Sequence, residues 1–178
     1  MKKVISVLLA FAMVFGLTAC GSPAEPEQTV PAASLEGTME ELVNQVITEQ
    51  PVEFMGGIMP VDLADTSEDG LWAIKYNTGL ENAGQIEDVA VYEPMMGSIP
   101  FSLVMVRAKD GVGTKTLAES MKAGIDQRKW ICVEADDLQV VSYGDVVMLI
   151  MVDSTSGMTS QSFVDAFAQV CGGDVTVY

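Results

Sequence analysis

Apolar positions beyond residue 38 recur first at a helical period and then in alternating or unbroken runs, and this change of period orders the elements. Met39, Leu42, Val43, Val46 and Ile47 share one helical face, and Thr38 followed three residues later by Glu41 is a capping-box pattern. A helix over residues 39–50 is predicted, stopped by Pro51. Ser67 with Glu68 and Asp69 starts a second helix that carries Leu71, Trp72 and Tyr76 and stops near Asn77 or Gly79. Beyond Gln85 the pattern turns extended. Residues 89–93 and 100–107 read as strands of an antiparallel hairpin, joined by a turn at Met95, Met96, Gly97 and Ser98. Gly111 opens a helix whose Leu117, Ala118, Met121 and Ile125 share a face and which ends near Lys129. Residues 138–142 and 146–152 make a second hairpin around Tyr143, Gly144 and Asp145. Thr159 or Ser160 then caps a last helix bearing Phe163, Val164, Phe167 and Val170.

A shift of 46 residues lays Leu103 on Leu149, Gly111 on Gly157, Thr114 on Ser160, Leu117 on Phe163 and Met121 on Phe167, so each half reads as hairpin, glycine turn, helix. Two such units predict an α+β fold. They would form a four-stranded antiparallel sheet with the helices packed on one face, preceded by an N-terminal helix. The stretch 146–152 has no polar position, which places it centrally.

The first residues follow a different logic. Lys2 and Lys3 precede a run over residues 4–17 that is apolar apart from Ser6 and Gly16, the length of a signal-peptide core and short for a membrane span. Leu17, Thr18, Ala19 and Cys20 close it, and this sequence resembles the lipobox of bacterial lipoproteins. The resemblance implies a diacylglyceryl group on Cys20, cleavage after residue 19, and attachment to the outer face of the bacterial cytoplasmic membrane. Two acyl chains hold a protein stably on a bilayer where one binds reversibly. Residues 21–34 are small, polar or proline and bury too little apolar surface to fold, so they read as a flexible tether. The expected organisation is a leader over residues 1–19, the lipidated cysteine and tether over 20–36, and one α+β domain over 37–178.

Charge then narrows the partners. The 178 residues carry 9 Lys and Arg against 25 Asp and Glu. Loss of Lys2 and Lys3 with the leader leaves 7 cations against 25 acids, a charge of −18. Such a surface is repelled by nucleic acid and by anionic headgroups, which excludes both as direct partners. The chain has no histidine, which removes Ser-His and Cys-His nucleophiles and the commonest zinc ligand.

The remaining chemistry is thin. Residues 111–116 sit between a strand and a helix as a phosphate loop would, but they lack its first glycine, and Thr114 separates Gly113 from Lys115. Asp62, Asp65, Glu68 and Asp69, and separately Glu134, Asp136 and Asp137, cluster acids without the alternating spacing of a calcium loop, so they read as solvated surface. Cys132 and Cys171 could form one bridge, although the helical spacing of Cys171 from Phe163, Val164 and Phe167 reads as a small buried thiol. No pattern nominates a catalytic residue, metal or cofactor. Met55 and Met59 flank a glycine pair, and Met95 and Met96 occupy a predicted turn, outside periodic core positions. These four methionines are the candidate contact surface for an envelope protein or peptide. A binding or assembly module is therefore expected, with a histidine-free hydrolase using paired carboxylates as the alternative.

Residues 86–171 also resemble a domain family of unknown function found in lipoproteins of Gram-positive anaerobes. The likeness lies in the order of lipobox, low-complexity tether, early helix, the strands with Val89, Ala90, Val91, Tyr92 and with Val104, Met105, Val106, Arg107, a polar helix and a terminal apolar hairpin strand. Trp130 and Ile131 stand where the family tends to a Tyr-Pro pair. The resemblance implies an address and a fold, and no activity.

In a bacterium that processes lipoproteins, the chain should partition into the detergent phase, and Cys20→Ala should release it or leave its precursor uncleaved. Wild-type protein recovered wholly in the medium would contradict the anchor.

Overall fold

The computed structural model describes residues 34–178, so the leader, Cys20 and most of the expected tether lie outside the described residues. In chain order the elements are α1 (Met39–Glu49), β1 (Gly56–Met59), α2 (Glu68–Thr78), β2 (Ile86–Pro94), β3 (Phe101–Ala108), α3 (Thr114–Gly124), β4 (Asp137–Tyr143), β5 (Val146–Val152), α4 (Ser160–Cys171) and β6 (Thr176–Val177). The strands form one antiparallel sheet in the order β1-β2-β3-β5-β4-β6. The α+β class holds, and β5 is central as its composition predicts. The sheet has six strands rather than four, because β1 and β6 pair onto the outer edges of the two expected hairpins. Both additions are short: β6 has two residues, too few to alternate, and β1 has four, of which Gly56 and Gly57 carry no side chain.

The helices cover both faces, not one. Leu103, Met105, Met148 and Ile150 point into a core shared with Met39, Leu42 and Val46 of α1 and Phe163 and Phe167 of α4. Val104, Val106, Val147 and Leu149 point the other way, against Ile74 of α2 and Leu117 and Met121 of α3. Every residue of β5 is buried, and β3 is buried at all but Arg107. A strand apolar on both sides needs cover on both sides, and a single helical layer would leave half of it in water.

The 46-residue correspondence survives locally and fails globally. Gly111 and Gly157 both adopt left-handed backbone, with φ of +80° and +85°, and Gly113 and Thr159 are both helix N-caps. The register of β3 on β5, however, sets Leu103 opposite Ile150 and Val104 opposite Leu149. Leu103 and its sequence counterpart Leu149 therefore face opposite sides of the sheet. Helix α3 follows one face and α4 the other, so the two units have opposite hands and no rotation superposes them.

Local chemistry sets the element ends. Thr38 and Glu41 close the capping box reciprocally, and Ser67 and Thr159 cap α2 and α4. Helix α3 is shorter than its pattern predicts, because the turn through Gly111 consumes the first residues and Ile125 leaves helical geometry at the other end. The β4–β5 hairpin turns through Gly144 at φ +59°, with Asp145 outside the left-handed region, as in a two-residue turn with glycine first.

Helices α2 and α3 meet where Gly79 ends one and Gly124 the other. A Cβ on Gly124 would fall 2.0 Å from the carbonyl oxygen of Gly79, and one on Gly79 2.5 Å from that of Met121. Gly124→Ala should therefore lower the unfolding free energy by about 1–3 kcal/mol through forced backbone displacement. Gly97→Ala, with no atom near its added methyl, should leave it unchanged. Urea denaturation of both variants checks the contrast.

Candidate functional site

Strand β2 alternates its side chains, so Ala90 and Tyr92 enter the α1/α4 core while Val91 faces α2 and α3. Glu93 follows Val91 at the strand interval. There it meets the ammonium of Lys129 at 2.5 Å, with only 12% of the Glu93 side chain and 1% of that of Lys129 exposed. Glu93 Oε1 is buried and, among the described residues, meets no donor apart from that ammonium. The ammonium also donates to Ser102 Oγ at 3.2 Å, and lies 4.8 Å from the ring centre of Tyr76 and 5.3 Å from that of Trp130. A buried cation is thus held by one carboxylate, one hydroxyl and two aromatic rings.

The loop that delivers Lys129 is pinched at its base. Ala135 N–H donates to the Gln127 carbonyl at 2.9 Å, and the Gln127 side-chain amide returns a bond to the Ala135 carbonyl at 2.8 Å. Arg128 pairs with Glu134 across the loop. Asp126 accepts from the Arg128 N–H at 2.9 Å, and the Tyr76 hydroxyl donates to the Lys129 carbonyl at 3.2 Å. This is a compact Ω-type loop with Lys129 turned inward and Ile131, 87% exposed, at its tip. Cys132 beside it is exposed and, among the described residues, is the one non-glycine position with positive φ, at +69°.

Burial lowers the pKa of Lys129, and the attraction of Glu93 only partly restores it. Tyr76 is raised by burial and by the negative charges of Glu93 and Asp126, so its phenol remains a donor. A hydroxyl beside a lysine of lowered pKa has the composition of a serine–lysine nucleophile pair. Ser102, however, is completely buried under its neighbours, and no substrate atom can approach its Oγ in this arrangement. The pair holds structure together.

Exposed apolar residues stand on the elements that carry this network. Trp72 stacks on Tyr76 with centroids 4.8 Å apart, and Ile131 is two residues beyond Lys129. Met95 and Met96 follow Pro94 directly after Glu93, and the Met95 N–H donates to the Met55 carbonyl at 2.9 Å. Met55, Met95, Met96 and Trp72 all expose more than half of their surface.

Of the four methionines picked out in the sequence, the structure brings three together. Met55, Met95 and Met96 gather at one end of the sheet, in the segments just before β1 and just after β2. Met59 does not lie in a connection. It is the last residue of β1, opposite Val91, and packs against the α2/α3 core, because residues 56–59 pair with β2. Cys20 lies outside the described residues. Trp72, Ile131, Glu93 and Lys129 went unselected. An acid at a core-facing position of a strand, in a chain with so few cations, was the signal that a buried basic partner must exist.

The acidic clusters are engaged locally. Asp62 accepts from the Ala64 N–H and Asp65 from the Ser67 N–H, both at 2.9 Å. Asp136 accepts from Ser154, and Asp137 accepts the N–H of Ser160 at the start of α4. Among the described residues no three such side chains are placed to share a metal ion, and no helix is long and apolar enough to cross a membrane. Cys171 packs against the α1/α4 core as its spacing predicts, and burial pushes its thiol up to about 12; it and Cys132 are both free thiols. Shallow hollows lie elsewhere, one lined by Lys115, Lys122 and Tyr178, another by Gln45, Glu49 and Gln169. No family model, curated protein or solved structure matches the chain.

Lys129→Met should cost about 3–5 kcal/mol, since it strands a buried carboxylate, whereas Glu93→Leu combined with Lys129→Met should recover most of that loss. The pKa of Lys129 is lowered on folding, so the unfolded chain holds that proton more tightly. The stability of the wild-type protein should therefore rise with pH from the folded value toward the ordinary one, about 10.4, as Lys129 gives up its proton in the fold before it does in the unfolded chain. Any advantage of the double variant should shrink across that window, as thermal melts at several pH values would show.

Proposed function

We propose that the chain is an extracytoplasmic lipoprotein anchored through Cys20, and that its folded part is a binding module for a protein or peptide segment carrying apolar and basic groups. The observation that carries this reading is the concentration of exposed Met55, Trp72, Met95, Met96 and Ile131 on elements tied to one buried ion pair. Large apolar side chains in water are costly to maintain without a partner, and methionine and tryptophan are side chains that adapt to or anchor one. Rigid supports suit this role, because little ordering remains to be done when the partner arrives. The basic character of the partner follows from the charge of −18 left once the leader is removed, which speeds encounter with cations and repels acidic competitors.

The hydrolase alternative gains nothing from these features. Of the acids flagged in the sequence, Asp62, Asp65, Asp136 and Asp137 accept from nearby backbone N–H groups, Glu134 pairs with Arg128, and Glu93 faces a lysine rather than a second carboxylate.

Photoactivatable residues placed at Met95 and at Trp72 should yield the same discrete adduct in intact cells, and one at Gln169 on α4 should not. Changing Met96 to glutamine should weaken the adduct from position 95 while the far-ultraviolet circular dichroism is unchanged. Equal, diffuse labelling from all three positions would remove the case for a dedicated surface.

A further inference from the structure

The first described residues are bound to the fold by a half-buried ion pair. Arg107, near the end of β3, pairs with Asp145 of the β4–β5 hairpin at 2.5 Å, with 13% and 22% of the two side chains exposed. Together they grip the segment ahead of α1. Asp145 accepts the Leu35 N–H at 3.0 Å and the Ser34 hydroxyl at 3.1 Å, and Arg107 donates to the carbonyls of Leu35 and Gly37, each at 2.7 Å. Leu35 packs its side chain on the α1/α4 core, and the Met39 N–H donates to Asp88 at 2.9 Å, at the start of β2. Residues 34–39 therefore run across one end of the sheet, the end formed by the hairpin turn, the finish of β3 and the start of β2.

The exposed methionines lie at the other end. Met55 precedes β1, and Met95 and Met96 lie between the end of β2 and the start of β3. From Arg107 back to Phe101 is six residues of strand, about 20 Å at 3.3 Å each. We infer that Arg107 and Asp145 form a clamp that fixes the exit of the anchored segment at the hairpin end of the sheet. The surface around Met55, Met95 and Met96 is then presented away from the anchoring membrane, to a partner approaching from outside rather than to lipid headgroups.

The inference rests on the anchored reading given above. Residues 21–33 separate Cys20 from the clamp and reach about 45 Å at most. Holding the chain at Ser34 and Leu35 fixes its exit at the hairpin end, so the span from Cys20 is shortest when that end faces the bilayer and must lengthen by up to about the 20 Å of β3 when the methionine end does.

The test uses the full chain in membranes of a lipoprotein-processing bacterium, with a photoactivatable residue at Asp110, exposed at the clamped end, or at Met95. Lipid adducts should be several-fold more frequent from Asp110. That bias should vanish in the Arg107→Gln, Asp145→Asn double variant. Leu35→Pro, which removes the N–H that Asp145 accepts and leaves the ion pair intact, should reduce it, and provides a second reading if the double variant folds poorly. Equal lipid labelling from the two positions in membrane-bound wild type, or a bias that persists in both variants, would overturn the clamp alone. A chain that fails to reach the membrane at all would overturn the anchored reading and the inference with it.

Discussion

The structure depends on the pairing of β3 with β5, two strands with almost no polar face. From Phe101 opposite Val152 to Val106 opposite Val147, the pairing lines up apolar side chains on both surfaces of the sheet, with Ser102 the one polar member. Neither surface can be left to water, since each buried aliphatic side chain contributes about 1.5–3 kcal/mol that exposure would forfeit. The helices are distributed by this demand: α1 and α4 on one side, α2 and α3 on the other. Ser102 and Arg107 are the exceptions in β3: Ser102 accepts from Lys129, and the charge of Arg107 is met at once by Asp145 and by the carbonyls of the incoming chain. The polar departure from an otherwise apolar strand thus marks where another segment must dock.

A second departure has the same form. Glu93 occupies an inward position of β2, and the loop after α3 bends back to bring it a lysine, with Tyr76 and Trp130 completing the cation's surroundings. Such pairs contribute little net stability, because desolvation offsets most of the attraction, but they enforce geometry, since each member is costly without the other. Here the geometry enforced is that of the β2 end, the 126–135 loop and α2, the elements that carry Met95, Ile131 and Trp72.

How much of this was legible in the sequence follows from the range of the interactions. The helices declared themselves through contacts within a few residues: Thr38 with Glu41, Ser67 with Gly70, Thr159 with Ser162. The two hairpins were legible for the same reason. Face assignment was not, because it is decided by register, and the apparent 46-residue repeat pointed to a symmetry that the pairing of Leu103 with Ile150 forbids. Strand β1 was hidden by Gly56 and Gly57, which carry no side chains to alternate, so Met59 was placed in a connection and Met55 with it. Part of the candidate surface was visible as methionines off the core period. Trp72 and Ile131 belong with it only through Lys129, which holds their supports together by a contact spanning 36 residues from Glu93.

The two edges of the sheet carry a further consequence. β1 offers four residues, bounded by Phe54 and Met55 on one side and Pro60 on the other, and β6 offers two. An exposed edge is a template for another chain, and its hazard grows with its length and with the local concentration of copies. Tethering to a bilayer would confine copies to a plane and raise that concentration well above its value in free solution. Each edge is also stepped, because β1 covers only Val91–Pro94 of β2 and β6 only Val141 and Ser142 of β4, so a second copy meets short, offset segments rather than one straight strand, and a sheet with so apolar a centre can be crowded on a surface and still remain a population of separate molecules.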